Sequence, residues 1–306
     1  MRPDPLTTPN PGLGIVLLTG SEGTIGRHLA RALREAGYDV RGLDRRAASA
    51  AAPEHHVVDL LDRASVDAAV EGVSAVVHAA GIPWDLGDPA TVMSVNVMGT
   101  WNLLQASAAA GVERVVAFSS INAQGSTGGR RAPRYLPLDD DHPHHPTTPY
   151  QLSKHLMEEV CRSFSEQDGP STICLRPVFV AHAASPHVAR FGTDASMRQW
   201  RDEFWAYVDV RDVCDAVIRS LRVEGVRHDR FLLAALDTSA GEPTRTLVAR
   251  EHADIPWPKV DQETYLTTDP YRSLVDCRHA RDVLGWEARY SWRDASAEAI
   301  DQGSEP

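Results

Sequence analysis

The sequence predicts an α/β fold built on a doubly wound parallel sheet with helices on both faces. Short apolar runs of strand length alternate along the chain with segments of helical periodicity. A turn that contains three glycines joins the first apolar run to the first helical segment. Several later apolar runs end in small or polar residues, as strands that border a ligand site do.

The composition is that of an ordinary globular chain. Its 306 residues are 42% hydrophobic and 24% charged, enough for one large domain or a domain with a smaller lobe. The net charge of -11 argues against nucleic acid or an anionic membrane as a partner, because both favour a basic surface. The four cysteines include no C-x-x-C pair, which is typical of thiols in a reducing cytoplasm. Residues 1–12 are Pro-rich without a signal-peptide core, so we expect a disordered lead-in to a cytoplasmic protein.

A strand-to-helix turn near the start of the chain is typical of a phosphate-binding site. The strand-like run Ile15–Thr19 is followed by Gly20, Gly23 and Gly26, and the helical segment after them ends at Gly37. Glycines there let the backbone approach a pyrophosphate, and the helix N-terminus offers N–H groups and a positive dipole end. A purely structural turn is the weaker alternative in this context.

The second apolar run, residues 38–43, ends at Asp44, about twenty residues after the glycine turn. A carboxylate there would accept hydrogen bonds from the ribose hydroxyls of NAD and would repel a 2′-phosphate, so NAD is the predicted cofactor. NADP stays open, because Arg27, Arg45 and Arg46 could each pair with that phosphate.

The next strand and helix carry further candidates. The run Val73–His78 leads into the small residues Ala79–Gly81, which would let a flat cofactor lie against the backbone. Tight strand–helix packing is the alternative for those three residues, and His78 is interpreted as a packed strand-end residue. A long helix with Asn96 inside it is predicted from Thr91 to Ala110.

A strand over Val115–Phe118 ends at Ser119 and Ser120. Because ligands bind where parallel strands end, a serine there is placed to hydrogen-bond a substrate oxygen, although a turn or cap serine would look the same. The polar loop 121–148 follows. Its Asp/His cluster fits no fixed metal geometry, so we expect a solvated loop and no metal; the cluster comprises Asp139, Asp140, Asp141, His142, His144 and His145.

Tyr150 and Lys154 open the next helical segment. At four-residue spacing both side chains project from one face of a helix, one turn apart. A free phenol has a pKa near ~10, and a neighbouring ammonium lowers that pKa by favouring the phenolate. Bringing it to about 7 requires roughly 4 kcal/mol of differential stabilisation. A Y-x-x-x-K pattern alone is also common on solvated helices, so the assignment depends on the upstream features.

The remaining chain suggests a covering lobe. A strand is predicted at 172–175, a substrate-side segment at 181–205, and a mixed Trp/Tyr/Pro-rich tail with short helices from about 237 onwards. We therefore predict a dinucleotide-binding domain over 13–180 and 206–236, and a small substrate-binding lobe over 181–205 and 237–306.

These residues together resemble the extended short-chain dehydrogenase/reductase superfamily, in its NAD-dependent epimerase/dehydratase group. The resemblance runs from Ile15 to Leu236 and implies a Rossmann-type sheet with a small C-terminal substrate lobe. The motifs that carry it are Thr19-Gly20…Gly23…Gly26, Asp59-Leu60, His78-Ala-Ala-Gly81, Asn96-Val-Met-Gly-Thr100, Phe118-Ser-Ser120, Tyr150…Lys154, Leu175-Arg-Pro177 and Tyr207-Val-Asp-Val-Arg-Asp212.

The resemblance also implies site residues. Tyr150 would be the acid/base, Lys154 would hold the nicotinamide ribose and lower the pKa of the tyrosine, and Ser120 would position the reacting oxygen. Ser120, Asn122 and Tyr150 would contact the substrate. The cofactor would be held by Gly20, Gly23, Thr24, Ile25, Gly26, Asp44, Asp59, Leu60, Ala79, Ala80, Gly81, Asn96, Lys154 and Pro177.

Two departures from the family pattern bear on the substrate. The serine motif reads Ser119-Ser120-Ile-Asn-Ala-Gln-Gly125, so counting back from the glycine selects Ser120, whereas counting forward from Phe118 would select Ile121, which cannot donate. After Arg176-Pro177 the chain lacks the Asn and the Tyr-Gly-Pro run usual in nucleotide-sugar members. Both this loss and the short lobe are similar to members that oxidise small free sugars, such as uronate dehydrogenases.

Three functions are compatible with these patterns. The first is a dehydrogenase or reductase acting on a sugar or similar polyol; the second is a nucleotide-sugar epimerase or dehydratase that retains NAD; the third is a non-catalytic dinucleotide-binding regulator. Relatives commonly dimerise through helices that correspond to about 91–110 and 150–166 here, so a homodimer is expected by analogy.

Overall fold

The computed structural model describes residues 14–48, 54–128 and 131–294. The predicted lead-in, residues 1–12, lies outside the described residues. The strands are β1 (Ile15–Thr19), β2 (Asp39–Asp44), β3 (His55–Val57), β4 (Val73–His78), β5 (Arg114–Phe118), β6 (Ser171–Pro177), β7 (Phe179–Ala181), β8 (Tyr207–Asp209) and β9 (His228–Leu233). The α-helices are α1 (Thr24–Glu35), α2 (Arg63–Ala69), α3 (Pro89–Met93), α4 (Gly99–Ala109), α5 (Pro149–Glu166), α6 (Asp194–Gln199), α7 (Val210–Arg222), α8 (Thr244–Glu251), α9 (Gln262–Thr268) and α10 (Arg278–Leu284).

Seven strands form one sheet in the order β3-β2-β1-β4-β5-β6-β9. The pairs from β3 through β6 are parallel. This confirms the predicted α/β fold with a doubly wound, Rossmann-type sheet. The strand order reverses between β1 and β4, and in such sheets ligands bind outside the carboxyl ends of the strands at this switch point. The predicted glycine turn and the small residues after His78 both follow strands that meet there.

The apolar runs form strands because the sheet buries them on both faces. Val16, Leu17 and Leu18 of β1 are each 0% exposed, which explains why the run is continuous rather than alternating. A core cluster joins the sheet to the helices on it, and includes Leu17, Val76, Leu103, Val115 and Met157 among its members. No helix in the described part of the chain is both long and apolar enough to cross a membrane.

The predicted single helix from Thr91 to Ala110 is wrong in detail. α3 and α4 are joined by a π-helix over Ser94–Met98, which contains Asn96. Apolar spacing does not indicate a single turn with i→i+5 hydrogen bonds, so the sequence predicts an uninterrupted helix. Such turns are frequent at functional sites.

Two compact units divide the chain. The first contains the described residues up to 119, with 148–175 and 214–230; the second contains 120–147, 176–213 and 231–294. In the second unit, β7 and β8 pair in parallel and an aromatic cluster packs around Phe191 and Tyr207. The predicted domain boundaries, which place 206–236 wholly in the first domain, stay a prediction.

The helix that carries Tyr150 and Lys154 begins with a complete capping box. Thr148 Oγ1 accepts a hydrogen bond from the Gln151 backbone N–H at 3.2 Å, and the Gln151 side chain accepts one from the Thr148 N–H at 3.3 Å. Pro149 occupies the first helical position, where its missing N–H is not needed. The first turn of α5 is therefore fixed locally by sequence.

We expect Thr148→Ala to lower the free energy of unfolding by about 1 kcal/mol, because one first-turn N–H loses its acceptor. The measurement is the shift of the urea midpoint. Thr148→Ser is the matched control, since it keeps the oxygen and should remain close to wild type. Equal midpoints for the alanine variant and wild type would contradict a stabilising cap.

Candidate active site

The glycine turn between β1 and α1 is packed too tightly for side chains. Gly20 has φ +71°, and a Cβ there would lie 2.7–2.8 Å from the backbone of Ala79 and Ala80. A Cβ on Gly26 would contact the Gly20 carbonyl oxygen. The Gly23 N–H donates to the Gly20 carbonyl at 2.9 Å and closes the turn. Glycine is therefore needed both for the left-handed backbone and for its approach to the end of β4.

A cavity of about 400 Å³ opens beside this turn. α1 begins next to it with Gly23 as its N-cap, so no side chain caps the first N–H groups, and the first turn carries no acid. Such a terminus attracts an anion. The cavity is lined by Gly20, Gly23, Leu43, Asp44, Arg45, Arg46, Val58, Asp59, Leu60, Ala79, Ala80, Gly81, Ile82 and Val95.

Most of the predicted cofactor residues line this cleft, and the rest lie elsewhere. The predicted residues in its lining are Gly20, Gly23, Asp44, Asp59, Leu60, Ala79, Ala80 and Gly81. The predicted residues outside its lining are Thr24, Ile25, Gly26, Asn96, Lys154 and Pro177. Lys154 is nevertheless close, because its Nζ lies 3.6 Å from where a Cβ on Gly81 would stand.

Asp44 is engaged on both carboxylate oxygens. Oδ2 accepts from the Glu22 backbone N–H at 3.1 Å, and Oδ1 accepts from the Arg46 backbone N–H at 3.0 Å. The Arg46 guanidinium adds bonds of 3.2 and 3.3 Å. Burial alone would raise the pKa of the Asp44 carboxyl, but the hydrogen bonds from Arg46 and Glu22 lower it overall. Asp44 is therefore held as a carboxylate, and the Arg46 guanidinium is paired with it.

A directed chain of hydrogen bonds runs through His78. The Thr100 hydroxyl donates to the Asn96 carbonyl at 2.7 Å, so it can only accept from His78 Nε2, 2.9 Å away. The neutral imidazole then carries its proton on Nε2, and Nδ1 accepts from the Thr19 hydroxyl at 2.8 Å. Thr19 in turn accepts from the Ala80 N–H at 3.2 Å. Burial, and then the charge of Lys154, lower the pKa of His78 to about 3.

Asn96 continues this series of hydrogen bonds to α5. Its Oδ1 accepts from the Ile82 N–H at 2.8 Å, and its Nδ2 donates to the Ile82 carbonyl and to Ser153 Oγ, both at 3.0 Å. The Ser153 hydroxyl donates to the Tyr150 carbonyl at 2.8 Å. Asn96 thus fixes the loop after β4 and the first turn of α5 together, and its amide has one orientation only.

Lys154 is a buried ammonium. Its Nζ donates to the Phe118 carbonyl at 2.6 Å and lies 3.6 Å from Met157 Sδ. Burial lowers the pKa of Lys154 to about 8, although the charge of Glu158 raises it in part. Glu158 is 0% exposed one turn further along α5, and its Oε1 accepts from the Ser119 hydroxyl at 2.5 Å.

Tyr150 lies at the partly buried start of α5. Its backbone N–H, a first-turn group without an intrahelical acceptor, donates to Asp85 Oδ1 at 2.8 Å. The Trp84 and Tyr150 rings have centroids 6.4 Å apart and are inclined by 30°. The loop after β4 is therefore attached directly to the helix that carries the predicted acid/base.

Ser120 belongs to the second unit and is a cap. It is the N-cap of a 3-10 helix over Ile121–Gln124, and its Oγ accepts from the Asn122 backbone N–H at 3.1 Å and from Asn122 Nδ2 at 3.4 Å. Asn122 Oδ1 accepts from the Thr127 hydroxyl at 3.1 Å. A capping role does not prevent Ser120 from donating its own hydrogen, because its Oγ is an acceptor in both bonds.

The histidines of the polar loop pair with other groups of the second unit. His142 is buried, accepts from the Arg134 backbone N–H at 2.9 Å and contacts Ser126 Oγ at 2.9 Å. His144 Nε2 lies 3.0 Å from Nη2 of the fully buried Arg176, which precedes Pro177. The described part of the loop is thus less solvated than predicted, because His142 is buried and the histidine side chains contact other groups.

Several residues that organise this site were not predicted. No pattern around Asp85 indicates its contact with Tyr150, which lies 65 positions further along the chain. Ser153 and Glu158 share α5 with Lys154, but nothing in their spacing distinguishes them from solvated positions. Thr100 was within a recognised motif without an assigned role, and only its bond to Asn96 one helical turn away supplies one.

Comparisons with known proteins agree with this geometry. GDP-6-deoxy-D-mannose reductase from Pseudomonas aeruginosa is 30% identical over 67% of this chain and 70% of its own length. UDP-glucose 4-epimerase from Azospirillum brasilense is 27% identical over 95% of each chain. A short-chain dehydrogenase/reductase superfamily protein from Agrobacterium tumefaciens with bound NAD has a TM-score of 0.70 at 27% identity, covering 91% of this chain and 93% of that one.

Uronate dehydrogenase from Agrobacterium tumefaciens has a TM-score of 0.64 at 20% identity, over 90% of this chain and 84% of that chain, and shares the fold. The model of the NAD dependent epimerase/dehydratase family matches residues 16–234. That match runs from β1 through β9 and so includes every strand of the main sheet. The chain therefore belongs to the NAD dependent epimerase/dehydratase family, which confirms the predicted family and NAD as the predicted cofactor.

Proposed function

We propose that the protein is an NAD-dependent oxidoreductase that transfers hydride at a secondary alcohol or ketone of a sugar or sugar-like substrate. The observation that carries the proposal is the placement of Lys154. It is a buried ammonium one helical turn from Tyr150, and it lies beside Gly81 at the edge of the cofactor cleft. A charge buried at this point has a chemical use, because it stabilises a phenolate.

The cleft suits NAD. Gly20, Gly23 and the uncapped start of α1 would receive the pyrophosphate, and Asp44 would accept from the adenosine ribose. NAD is favoured over NADP because Asp44 is a carboxylate and because the Arg46 guanidinium is already bound to it. When bound, NAD supplies the nicotinamide that accepts or returns a hydride.

The protein side of the reaction is a proton transfer. Tyr150, as phenolate, takes the proton of the substrate hydroxyl during oxidation and returns it during reduction. The Lys154 ammonium favours that phenolate. Because the pKa of Lys154 is about 8, most of the lysine is protonated at pH 7. Ser120 donates a hydrogen bond to the reacting oxygen and so holds it in place.

A second candidate function is a nucleotide-sugar epimerase or dehydratase with tightly bound NAD. The name of the Azospirillum brasilense relative, UDP-glucose 4-epimerase, favours it, whereas the reductase from Pseudomonas aeruginosa favours only a nucleotide-sugar substrate. Against it stands the segment after Pro177, which reads Val178-Phe-Val-Ala-His182 and lacks the Asn and Tyr-Gly-Pro signature. We therefore place a small free sugar first and a nucleotide sugar second. A non-catalytic regulator is a remote third candidate.

The first experiment is a panel of free uronates, neutral sugars and nucleotide sugars, each with NAD and with NADP, followed at the absorbance of NADH. We expect NADH to accumulate with a free sugar, faster with NAD, and Tyr150→Phe to lower kcat by at least about 10²-fold because the proton acceptor is lost. The exposed Tyr290 provides the control variant, Tyr290→Phe.

Each result selects among the three functions. Tightly bound NAD without net NADH formation would favour the epimerase or dehydratase. Unchanged activity in Tyr150→Phe would overturn the mechanism. Tight NAD binding without turnover of any sugar would leave the regulator.

The pH dependence provides an independent test of Lys154. Its ammonium form is the active one, so kcat/KM should fall as pH rises above about 8 and the proton is lost. Because the charge of Glu158 raises that pKa, Glu158→Gln should move the fall to lower pH. The measurement is kcat/KM from pH 6 to 10 for both proteins, and a fall at the same pH in each would show that Glu158 does not tune Lys154.

We also propose that the protein is a homodimer formed through α4 and α5. Met98 is 50% exposed just before α4, and Trp101 and Leu152 are exposed on the two helices. Burying these apolar side chains against a second copy would remove them from water.

We expect light scattering to give a dimer for wild type and a monomer for Met98→Glu, because a charge in an apolar interface is costly. Leu236→Glu, at an exposed position in the second unit, is the control and should stay dimeric. A monomeric wild type would refute the assembly.

A further inference from the structure

Trp84 has an unfavourable backbone conformation. Its φ is +61°, in the left-handed region, in the loop between β4 and α3. A bulky residue rarely adopts this conformation, which costs free energy and persists only where the surrounding structure imposes it. Such outliers cluster at active sites and ligand sites.

The cause is that the chain is fixed on both sides of Trp84. Two residues before it, the N–H and the carbonyl of Ile82 are both bound by the Asn96 amide, at 2.8 and 3.0 Å. One residue after it, Asp85 Oδ1 accepts from the Tyr150 N–H at 2.8 Å. These bonds leave little freedom between the two anchors, and both anchors belong to the network that positions Tyr150.

The strain does not bury the indole. Trp84 remains 46% exposed although it is one of the largest apolar side chains, and its ring centroid is 6.4 Å from that of Tyr150 with an inclination of 30°. A lone exposed apolar residue is normal and needs no explanation. Trp84 differs from that ordinary case, because its backbone is strained, the chain is anchored on both sides of it, and its exposed ring lies near that of Tyr150.

We propose that Trp84 is a substrate-positioning residue whose indole face packs against the C–H-rich face of a sugar ring. An aromatic face attracts polarised C–H groups and excludes water without demanding a hydrogen bond. A pyranose has such a face and presents its hydroxyls at the ring edge. Packing on Trp84 would thus orient one carbinol towards Tyr150. This inference rests on the proposed function and names the element that holds its substrate.

The test compares Trp84→Ala and Trp84→Phe with wild type, using the sugar that gives the highest rate. We expect Trp84→Ala to raise KM about tenfold, and Trp84→Phe to raise it by less than about threefold because it keeps an aromatic face. The Kd for NADH, read by its fluorescence, should not change in either variant. Leu86→Ala is the matched control, because Leu86 is 58% exposed in the same loop and has no aromatic face.

A binding measurement separates this inference from the proposed function. Calorimetry on the protein–NADH complex titrates D-glucuronate, D-glucose and UDP-glucose, and requires no turnover. Weaker sugar binding in Trp84→Ala with no turnover in wild type would support the inference and overturn the proposed function. Turnover with an unchanged KM in Trp84→Ala would overturn the inference alone. A wild-type protein that neither binds nor turns over any of these sugars would overturn both. If Trp84→Ala lost NADH affinity as much as sugar affinity, Trp84 would be a structural residue and the inference would be wrong.

Discussion

The site in the first unit depends on the neutral, buried imidazole of His78, which links β1 to α4 through Thr19 and Thr100. His78 donates from Nε2 and accepts at Nδ1, so the bonds from Ala80 through Thr19 and Thr100 to Asn96 all point one way. Protonation of the ring would place two donors against Thr19 and strand its hydroxyl hydrogen in the interior. Burial and the Lys154 charge both oppose that protonation. The charge of Lys154 therefore helps to keep this series of hydrogen bonds in its single arrangement.

The hydrogen bonds of Asn96 explain the π-helix. An amide that binds both the backbone of Ile82 and the hydroxyl of Ser153 must face the loop after β4 and α5 at once. The π turn over Ser94–Met98 carries Asn96, and its extra residue changes the direction of the side chain relative to a regular helix. The same turn leaves the Asn96 carbonyl in place to accept from Thr100. The irregularity is thus part of the site rather than a defect in the helix.

Local spacing predicted the parts of the site that depend on local geometry. Gly20 and Gly23 follow from a turn between a strand and a helix, and Asp44 follows from its place at the end of the second strand. Contacts between distant segments could not be predicted this way. Asp85 meets Tyr150 across 65 positions, and Ser119 meets Glu158 across 39. No periodicity in one segment encodes its partner in another, so spacing could indicate candidate residues such as Tyr150 and Lys154 but not the distant side chains that contact them.

The burial of Lys154 lowers the stability of the fold. The pKa of Lys154, about 8, lies below the ordinary 10.5, so folding makes the ammonium lose its proton more easily than in the unfolded chain. By linkage, its charged form destabilises the fold at every pH below that value, and the cost fades only as pH rises towards 10.5. An apolar side chain of similar length could fill the same space without this cost. The Phe118 carbonyl and Glu158 lessen the cost but do not remove it. The proposed role of Lys154 beside Tyr150 would account for this cost, because perturbed pKa values cluster at functional sites.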